Sequence, residues 1–374
     1  MCSQRTILML TLTGFGTGAS ATPIYDGSVL ADENDVVVVS INYRLNIFGF
    51  SGAPGQPPNA GLWDQRLALE WVRDNAEAFG GDPSRITPFG QSAGGASVDF
   101  IAYGFPSDPI AHGLIARSGD ATTVLGSLSS VLTNWYNVSS TLGCGGSSAG
   151  ESTVPCVRTK TWQQLLAAIA PLSSDPLVSG FAPVADDIII PSNLSARGDV
   201  GQFAKIPFLT GNTDNEASFF LLNILAYQNL TQAQFNNLLP ALAATQPILD
   251  LLTLVAFTCP AGVAANYRAQ AGVPVWRYRY YGGNYTNTYI VGAGSNYHTS
   301  ELPVVFGTAE SVTGIADSWY EADAAKYMRN AWATFAKNPS SGLSGALGWP
   351  QYNKYSKFSP SAVLMPNDGI DGLG

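Results

Sequence analysis

The sequence is poor in charge. Lys, Arg, Asp and Glu make up 12% of its 374 residues, with 18 basic against 27 acidic side chains and a formal net charge of −9. This composition excludes a disordered tail, a coiled coil and a surface covered with ion pairs. Phosphate backbones attract clustered Lys and Arg, and the chain has no basic run. We therefore expect neither nucleic acid nor an anionic membrane surface as a partner.

Histidine and cysteine are also scarce. The chain has two histidines, His112 and His298, and four cysteines whose spacing does not resemble that of metal ligands. Zinc-type sites need several such ligands close together. We therefore expect no bound metal.

Long apolar runs are missing as well. A membrane-spanning helix needs about 20 consecutive apolar residues. The longest apolar stretch, Leu239–Phe257, is interrupted by Gln246, Pro247 and Asp250. The sequence therefore predicts no transmembrane helix.

The N-terminus admits two interpretations. The first residues are polar and include Arg5, the stretch 6–16 is mostly apolar, and Ala19-Ser20-Ala21 resembles a signal-peptide cleavage site. The alternative is a buried strand over Thr6–Thr13 that leads into a Gly-rich loop at Gly14–Gly18. Composition alone leaves both interpretations open.

Other features favour an exported protein. Cys144 and Cys156 bracket a Gly- and Ser-rich stretch, and a bridge between them would close a short loop and stabilise the fold by about 3 kcal/mol. Cys2 and Cys259 have no obvious partners. The acceptor Asn-x-Ser/Thr sequence for N-glycosylation occurs at Asn137, Asn193, Asn229 and Asn284.

Strand-like and helical patterns alternate along the chain. The run Asp35–Ser40 is rich in β-branched residues, as a strand buried on both faces requires. Further strand-like segments lie at 85–89, 113–116, 206–211 and 273–281, and helical patterns lie at 59–79, 92–102 and 315–337. This alternation predicts an α/β fold with a mostly parallel central sheet flanked by helices. No repeat or linker divides the chain, so we expect a single catalytic domain over residues 1–374.

Ser92 is the candidate nucleophile. It lies in Gly90–Gly94, which matches G-x-S-x-G, between a strand-like segment and a helical one. This motif works as a sharp strand-to-helix turn that exposes the serine hydroxyl. Gly146–Gly150 also matches, but its Ser148 lies in a polar loop with neither element. The context therefore favours Ser92, and a helix-capping turn is the alternative explanation.

A serine hydroxyl needs a base and an acid that orients the base. His298 follows a strand-like segment on a Gly-rich loop, whereas His112 comes just before a strand and suits the role less well. In hydrolases of this type the acid lies between Ser and His in the chain. Glu216 and Asp214 both follow the strand-like segment 206–211, and the residues alone do not separate them.

The assembled motifs resemble the type-B carboxylesterase and cholinesterase family of α/β-hydrolases, especially its secreted fungal esterases and lipases. The resemblance runs from about Gly14 to Pro350, nearly the whole chain. It rests on the segments Thr22–Gly27, Val39–Arg44, Asn59–Arg66, Phe89–Gly95, Asn215–Phe220, His298–Pro303 and Val305–Gly307. It implies an α/β-hydrolase fold and a carboxylic ester hydrolase that acts on small-molecule or lipid esters and needs no cofactor.

The resemblance also assigns roles to particular residues. It implies Glu216, rather than Asp214, as the acid of a triad with Ser92 and His298. Further implied features are a Cys144–Cys156 disulfide, a buried structural ion pair between Arg44 and Asp64, and a supporting hydrogen bond from Ser118 near the acid. With the glycosylation sequences, the resemblance implies secretion.

The chain departs from the family pattern at the oxyanion loop, where the family has three glycines followed by Phe. Gly14 and Phe15 fit the end of that loop, but Leu12 and Thr13 replace the other two glycines. We expect the N–H groups of Ala93 and Gly14, with Thr13 as a further candidate, to bind the oxyanion. A β-branched residue resists the positive φ that glycine allows, and losing one donor costs about 10²–10³ in rate.

Further departures concern the sheet and the nucleophile. Pro88 lies in the strand before Ser92, and Gln91 stands where cholinesterases carry Glu. The family's N-terminal strands have no counterpart, which indicates an N-terminally truncated hydrolase. Because the match includes Gly14, the resemblance favours the strand interpretation of the N-terminus over the leader.

Three hypotheses follow. The first is a serine ester hydrolase in which His298 takes the Ser92 proton and an acyl-enzyme forms. The second is a non-catalytic relative that binds partners through the hydrolase scaffold; such relatives typically lack the nucleophile. The third, compatible with the first, is an impaired fragment with an intact triad and an incomplete oxyanion loop.

Overall fold

A parallel sheet forms the centre of the computed structural model, which describes residues 5–11, 14–123, 126–172, 180–226, 234, 245–282, 285, 287, 296–353 and 362–365. Within these residues the sheet has seven strands in the order β2-β1-β3-β4-β5-β6-β7, and each neighbouring pair is parallel. The strands are β1 (Arg5–Thr11), β2 (Val36–Ser40), β3 (Gly81–Gln91), β4 (Leu114–Arg117), β5 (Phe208–Thr213), β6 (Val275–Tyr280) and β7 (Ala362–Met365).

Helices connect the strands, as parallel neighbours require. They are α1 (Ser28–Asn34), α2 (Asn46–Gly49), α3 (Ala60–Asn75), α4 (Ala93–Gly104), α5 (Leu128–Thr141), α6 (Thr153–Val157), α7 (Trp162–Ile169), α8 (Leu194–Asp199), α9 (Glu216–Ala226), α10 (Gln246–Thr253), α11 (Cys259–Gln270), α12 (Leu302–Phe306), α13 (Ala309–Thr313), α14 (Trp319–Lys337) and α15 (Gly342–Leu347). A π-helical turn, Leu254–Thr258, joins α10 to α11.

Both faces of the sheet are covered. Successive side chains of a strand point to opposite faces, and the neighbours Ile7 and Leu8 of β1 belong to two different buried clusters. Ile7 packs with Leu69 of α3, whereas Leu8 shares its cluster with Trp332 of α14. The predicted sheet flanked by helices is therefore present.

The N-terminal segment is a strand of this sheet. Arg5–Thr11 lies between β2 and β3, with Ile7 and Leu8 buried. The apolar run that resembles a leader thus supplies an inner strand of the fold, in agreement with the strand interpretation.

The helix pattern at 59–79 corresponds to α3 followed by a 3-10 turn at Ala76–Phe79. Leu62, Leu69 and Val72 face the core at helical spacing. The chain then turns at Gly80, whose φ of 73° suits glycine. The predicted and observed bounds of this helical segment therefore agree to within one helical turn.

Strand β3 is longer than the predicted 85–89 and includes Pro88. Pro88 lies opposite Met9 of β1, and pairing with β4 begins only at Phe89. Because Pro88 has a strand partner on one side only, the missing N–H does not interrupt the sheet.

The expected ion pair between Arg44 and Asp64 forms, but the prediction that it is buried is wrong. Arg44 Nη2 lies 2.7 Å from Asp64 Oδ1, and the two side chains are 55% and 25% exposed. Arg44 lines an open surface cavity with Phe48 and Arg158, so water reaches its guanidinium.

One helical stretch, Gln246–Gln270, is long and apolar enough to span a membrane by length and composition alone. A buried core helix can meet the same criterion, but only 28% of this apolar window is buried. Arg268, near its end, is buried in an ion pair with Asp99 of α4, which holds this part of the stretch against the protein body.

Candidate active site

The carboxyl ends of three adjacent strands meet at one edge of the sheet. Gln91 of β3 lies beside Arg117 of β4, which lies beside Gly211 of β5. A single parallel bridge then pairs Asn215, just beyond β5, with Tyr297. This register brings together the three segments that carry Ser92, Glu216 and His298.

Ser92 occupies a sharp turn between β3 and α4. Its φ of 58° and ψ of −122° are rare for a residue with a side chain. Its N–H donates to the Arg117 carbonyl at 2.8 Å. A Cβ on Gly119 would lie 2.2 Å from the Ser92 carbonyl oxygen, so glycine is needed there. Close approach of the next strand thus fixes the strained turn.

His298 and Glu216 form a buried pair. The imidazole Nδ1 lies 2.5 Å from Glu216 Oε2, and Thr213 N–H donates to Glu216 Oε1 at 2.6 Å. Glu216 and His298 are 0% and 2% exposed. A carboxylate in this position holds the imidazole with Nδ1 protonated and leaves Nε2 as the basic nitrogen.

The imidazole of His298 contacts the side chain of Gln91. The Gln91 amide nitrogen lies 3.2 Å from Nε2 and 3.4 Å from Nδ1. Because it is almost equally far from both ring nitrogens, it lies beside the ring and off the outward lone-pair direction of Nε2, from which a serine proton would arrive. In the part of the chain that the structure describes, no hydrogen bond joins the Ser92 hydroxyl to the imidazole.

Aromatic rings surround the imidazole. The ring centroids of Phe219, Phe220 and Phe257 lie 5.6, 5.1 and 5.2 Å from that of His298. They remove water from the imidazole and so strengthen its interaction with Glu216. The apolar residues of Asn215–Phe220 suggest two of these rings, whereas nothing in the sequence around Phe257 indicates its place in the site.

The predicted oxyanion donors lie at the same edge. Ala93 begins α4, and a helix leaves its first N–H groups without intrahelical partners. Gly14 follows β1, whose Thr11 lies opposite Gly90. Gly14 has a φ of 138°, and its carbonyl accepts from the Tyr43 hydroxyl. Thr13 lies outside the described residues.

The expected side-chain hydrogen bond of Ser118 near the acid is absent among the described residues. The buried Ser118 hydroxyl has no hydrogen-bond partner among the residues that the structure describes. Both oxygens of Glu216 are already engaged, by Thr213 and by His298. The Ser118 backbone N–H instead connects the end of β4 to β5, because it donates to the Gly211 carbonyl at 2.7 Å.

The competing candidates lie elsewhere. Asp214 is paired with Arg279 at 2.9 Å. His112 precedes β4, at the opposite end of that strand from Arg117, and burial together with Arg85 lowers its pKa. Ser148 is exposed in a 3-10 turn, Ser147–Ser152, with no strand before it.

Sequence reasoning missed one buried pair beside the site. Arg117 Nη1 lies 3.8 Å from Glu301 Oε1, and both side chains are 0% exposed. Glu301 is part of the motif His298–Pro303, but only the fold brings it to Arg117. Elsewhere in the described chain, no cluster of three or more His, Cys, Asp or Glu side chains is arranged to hold a metal ion.

The surface features relevant to export are partly described. Cys144 and Cys156 form a disulfide, and Cys259 is free and exposed. Asn137 and Asn193 are exposed. The predictions for Asn229, Asn284 and Cys2 fall outside the described residues.

The parallel sheet with helices on both faces and a serine at a strained strand-to-helix turn define an α/β-hydrolase. A family model described as "Carboxylesterase family" matches residues 4–246 and 241–362. The chain therefore belongs to the carboxylesterase family.

Individual relatives agree with this assignment. A chlorogenic acid esterase of Aspergillus niger is 35% identical over 332 residues, which cover 88% of this chain and 60% of the relative. A secreted lipase 5 of Gibberella zeae is 35% identical over 352 residues, 90% of this chain and 63% of the relative. The chain thus spans about three fifths of the length of these curated relatives.

A solved structure shows the same fold. A thermophilic PNB esterase superposes with a TM-score of 0.75 and 28% identity, over 94% of this chain and 76% of that one. The two folds therefore correspond over nearly all of this chain.

Proposed function

We propose that the protein hydrolyses carboxylic esters through an acyl intermediate on Ser92. The observation that carries the proposal is the 2.5 Å contact between His298 Nδ1 and Glu216 Oε2 at the sheet edge where Ser92 forms its turn. Membership of the carboxylesterase family supports the same chemistry.

The reaction has two halves. In the first, His298 Nε2 takes the proton of the Ser92 hydroxyl while its oxygen attacks the ester carbonyl. The bond to the leaving alcohol then breaks, and the imidazole returns its proton to that alcohol. In the second half, His298 takes a proton from water as the water oxygen attacks the acyl carbonyl. The bond to the Ser92 oxygen then breaks, the imidazole returns its proton to Ser92, and the free acid leaves. Glu216 stabilises the imidazolium in both halves.

The negative oxygen of each tetrahedral intermediate would bind to the N–H groups of Ala93 and Gly14. The first turn of α4 adds the positive end of its dipole. Thr13 remains a further candidate donor by its place in the sequence.

The Ser92 hydroxyl must reach Nε2 for this reaction, because the described contacts of the imidazole nitrogens are with Glu216 and Gln91. In our proposal the Ser92 hydroxyl makes its hydrogen bond to Nε2 when an ester binds. Catalytic hydrogen bonds of resting enzymes often form only with substrate bound.

The substrate class is a small-molecule or lipid ester. The phenylalanines around His298 favour apolar or aromatic acyl and alcohol groups near the reacting bond. The names of the relatives include both a chlorogenic acid esterase and a lipase. A panel of nitrophenyl esters of rising acyl length separates these preferences through kcat/KM.

Labelling with a fluorophosphonate tests the nucleophile. We expect covalent labelling of the wild type, none of Ser92→Ala, and undiminished labelling of Ser148→Ala, the control at the second G-x-S-x-G sequence. Equal labelling of Ser92→Ala and wild type would contradict the proposal, as would an unlabelled wild type shown to be folded by circular dichroism.

A second candidate function is acylation with little turnover. It is favoured because the described contacts of the imidazole nitrogens are with Glu216 and Gln91, and none is with the Ser92 hydroxyl. Stoichiometric release of nitrophenol in a burst, without a steady state, would support it. A linear steady state of many turnovers would exclude it.

We also propose that the protein is secreted and glycosylated. The Cys144–Cys156 disulfide suits an oxidising compartment, and a relative carries the name secreted lipase. Exposed Asn137 and Asn193 are open to modification. Glycosidase digestion of the protein from its native host should lower its apparent mass, and Asn137→Gln with Asn193→Gln should reduce that change.

A further inference from the structure

The buried pair of Arg117 and Glu301 has no ordinary structural explanation. Both side chains are 0% exposed and their closest charged atoms are 3.8 Å apart, an ion pair without a hydrogen bond. Within the described chain, no nitrogen of the Arg117 guanidinium and no oxygen of the Glu301 carboxylate has a hydrogen-bond partner. Burying such charges is costly and seldom stabilises a fold. The pair therefore needs a reason other than stability.

The pair joins the two halves of the site. Arg117 ends β4, and its carbonyl accepts the N–H of Ser92 at 2.8 Å. Glu301 lies in the same short segment as His298, which ends where α12 begins at Leu302. The guanidinium is thus anchored beside the nucleophile, and the carboxylate beside the base.

The charges of the site are unbalanced without Arg117. The pKa of Glu301 is raised above its ordinary value: burial raises it most, Arg117 opposes this, Glu216 raises it further, and its own backbone N–H and His298 lower it by less. The other groups that face this cluster are the phenols of Tyr278 and Tyr280 on β6. Burial raises the pKa of each well above its ordinary value, so both stay neutral. Arg117 is therefore the permanent cation next to two carboxylates.

We propose that Arg117 is a positioning residue of the hydrolase, whose buried guanidinium neutralises Glu301 so that Glu216 alone acts on the imidazole of His298. This inference rests on the proposed ester hydrolysis. Two uncompensated carboxylates beside one imidazole would compete for its proton, and a lone guanidinium would oppose the imidazolium that forms in each half of the reaction.

A charge-neutral double variant tests this balance. Glu301→Gln leaves the guanidinium uncompensated, so the acid limb of the pH profile of kcat/KM should move down by about one pH unit, and kcat should fall severalfold. Arg117→Met combined with Glu301→Gln removes both charges. It should return the acid limb to its wild-type position and recover most of kcat. All rates are referred to active sites counted by fluorophosphonate labelling.

The pair of Asp99 and Arg268 supplies the control. It is also buried, at 0% and 1% exposure, but it contacts neither Glu216 nor His298. Asp99→Asn should lower the melting temperature without moving the acid limb. If Glu301→Gln does not fold, Arg117→Lys is measured instead. This variant keeps the positive charge at position 117, so the acid limb of its kcat/KM profile should match that of the wild type.

The outcomes separate the two proposals. An unlabelled, inactive wild type would overturn the ester hydrolase itself. An active wild type whose acid limb is unchanged in Glu301→Gln would overturn only the role of Arg117. A shift in Glu301→Gln that the double variant does not reverse would also overturn it, since charge balance would then not be the cause.

Discussion

The imidazole of His298 lies against the side chain of Gln91, with Nε2 3.2 Å from the Gln91 amide nitrogen. Gln91 directly precedes Ser92, so the strand that delivers the candidate nucleophile also delivers a neighbour of the base. The same nitrogen is 3.4 Å from Nδ1, so Gln91 packs beside the ring and helps to fix its position, and it does not occupy the lone pair of Nε2.

Replacing Gln91 by Ala should therefore slow the reaction at Ser92. We expect the second-order rate of fluorophosphonate labelling to fall severalfold at neutral pH, because the buried Gln91 side chain no longer holds the imidazole in position.

Gln65→Ala is the matched control for this prediction. Gln65 is equally buried, at 2% exposure, and its amide donates to Ser97 instead of the imidazole. Its labelling rate should not change. A labelling rate that is unchanged or higher in Gln91→Ala would contradict the prediction.

Glu216→Gln should lower kcat by about 10³–10⁴, because an amide nitrogen facing Nδ1 favours the wrong tautomer. Asp214→Asn, the control at the competing acid, should stay within about threefold of the wild type, because Asp214 is paired with Arg279 at the rim. Steady-state nitrophenyl ester hydrolysis measures both. Similar losses in the two variants would contradict the assignment of the acid.

Thr299 stores backbone strain next to the base. Its φ of 79° lies in the left-handed region, which β-branched residues avoid. Thr299→Gly should remove this strain and raise the free energy of unfolding by about 1 kcal/mol after the entropy cost of glycine.

Ala324→Gly, in the interior of α14, is the comparison in which glycine should destabilise the fold. There it should lower the free energy of unfolding by about 1 kcal/mol. Denaturant unfolding of the two variants should thus give changes of opposite sign, and a loss of stability in both would show that Thr299 is not strained.

Stability should also depend on Asp120. Burial, reinforced by Asp99, raises the pKa of this carboxyl to about 6 from an ordinary 3.8. The folded protein holds the proton more tightly than the unfolded chain, so the wild type loses stability as the pH rises from about 4 to about 6. The loss is on the order of 2–3 kcal/mol.

The Asp120→Asn variant should not lose this stability as the pH rises. Its amide oxygen can still accept the N–H of Thr122. Its melting temperature should equal or fall below that of the wild type at pH 4 and exceed it above pH 6. Asp187→Asn is the control with a pKa shift in the opposite direction. The N–H of Ser192 lowers the pKa of Asp187, so the melting temperature of this variant should not exceed that of the wild type at neutral pH. A constant difference between Asp120→Asn and wild type across the pH range would contradict the prediction.

Local pattern was sufficient to predict much of the architecture. The β-branched run of β2 and the helical spacing of Leu62, Leu69 and Val72 in α3 are one-dimensional signals that tertiary structure did not override. Strand β7 carries no such signal, because it is short and its neighbours along the chain are polar.

The site was predictable where a motif fixes local geometry and not where the fold alone brings residues together. The turn at Ser92 follows from small residues between a strand and a helix. By contrast, Phe257 and Arg117 reach the imidazole and Glu301 only through packing of distant segments. The exposure of Arg44 likewise depends on a loop shape that its own sequence does not specify.

The link between Cys144 and Cys156 has a practical consequence for making this protein. The loop that it closes leads into Val154 and Val157, which belong to the hydrophobic core. In a glutathione-rich bacterial cytosol both thiols stay reduced, and no disulfide then holds the core side chains of that loop in position. Recombinant production directed to the periplasm or to a eukaryotic secretory route should therefore yield more soluble material than cytosolic expression.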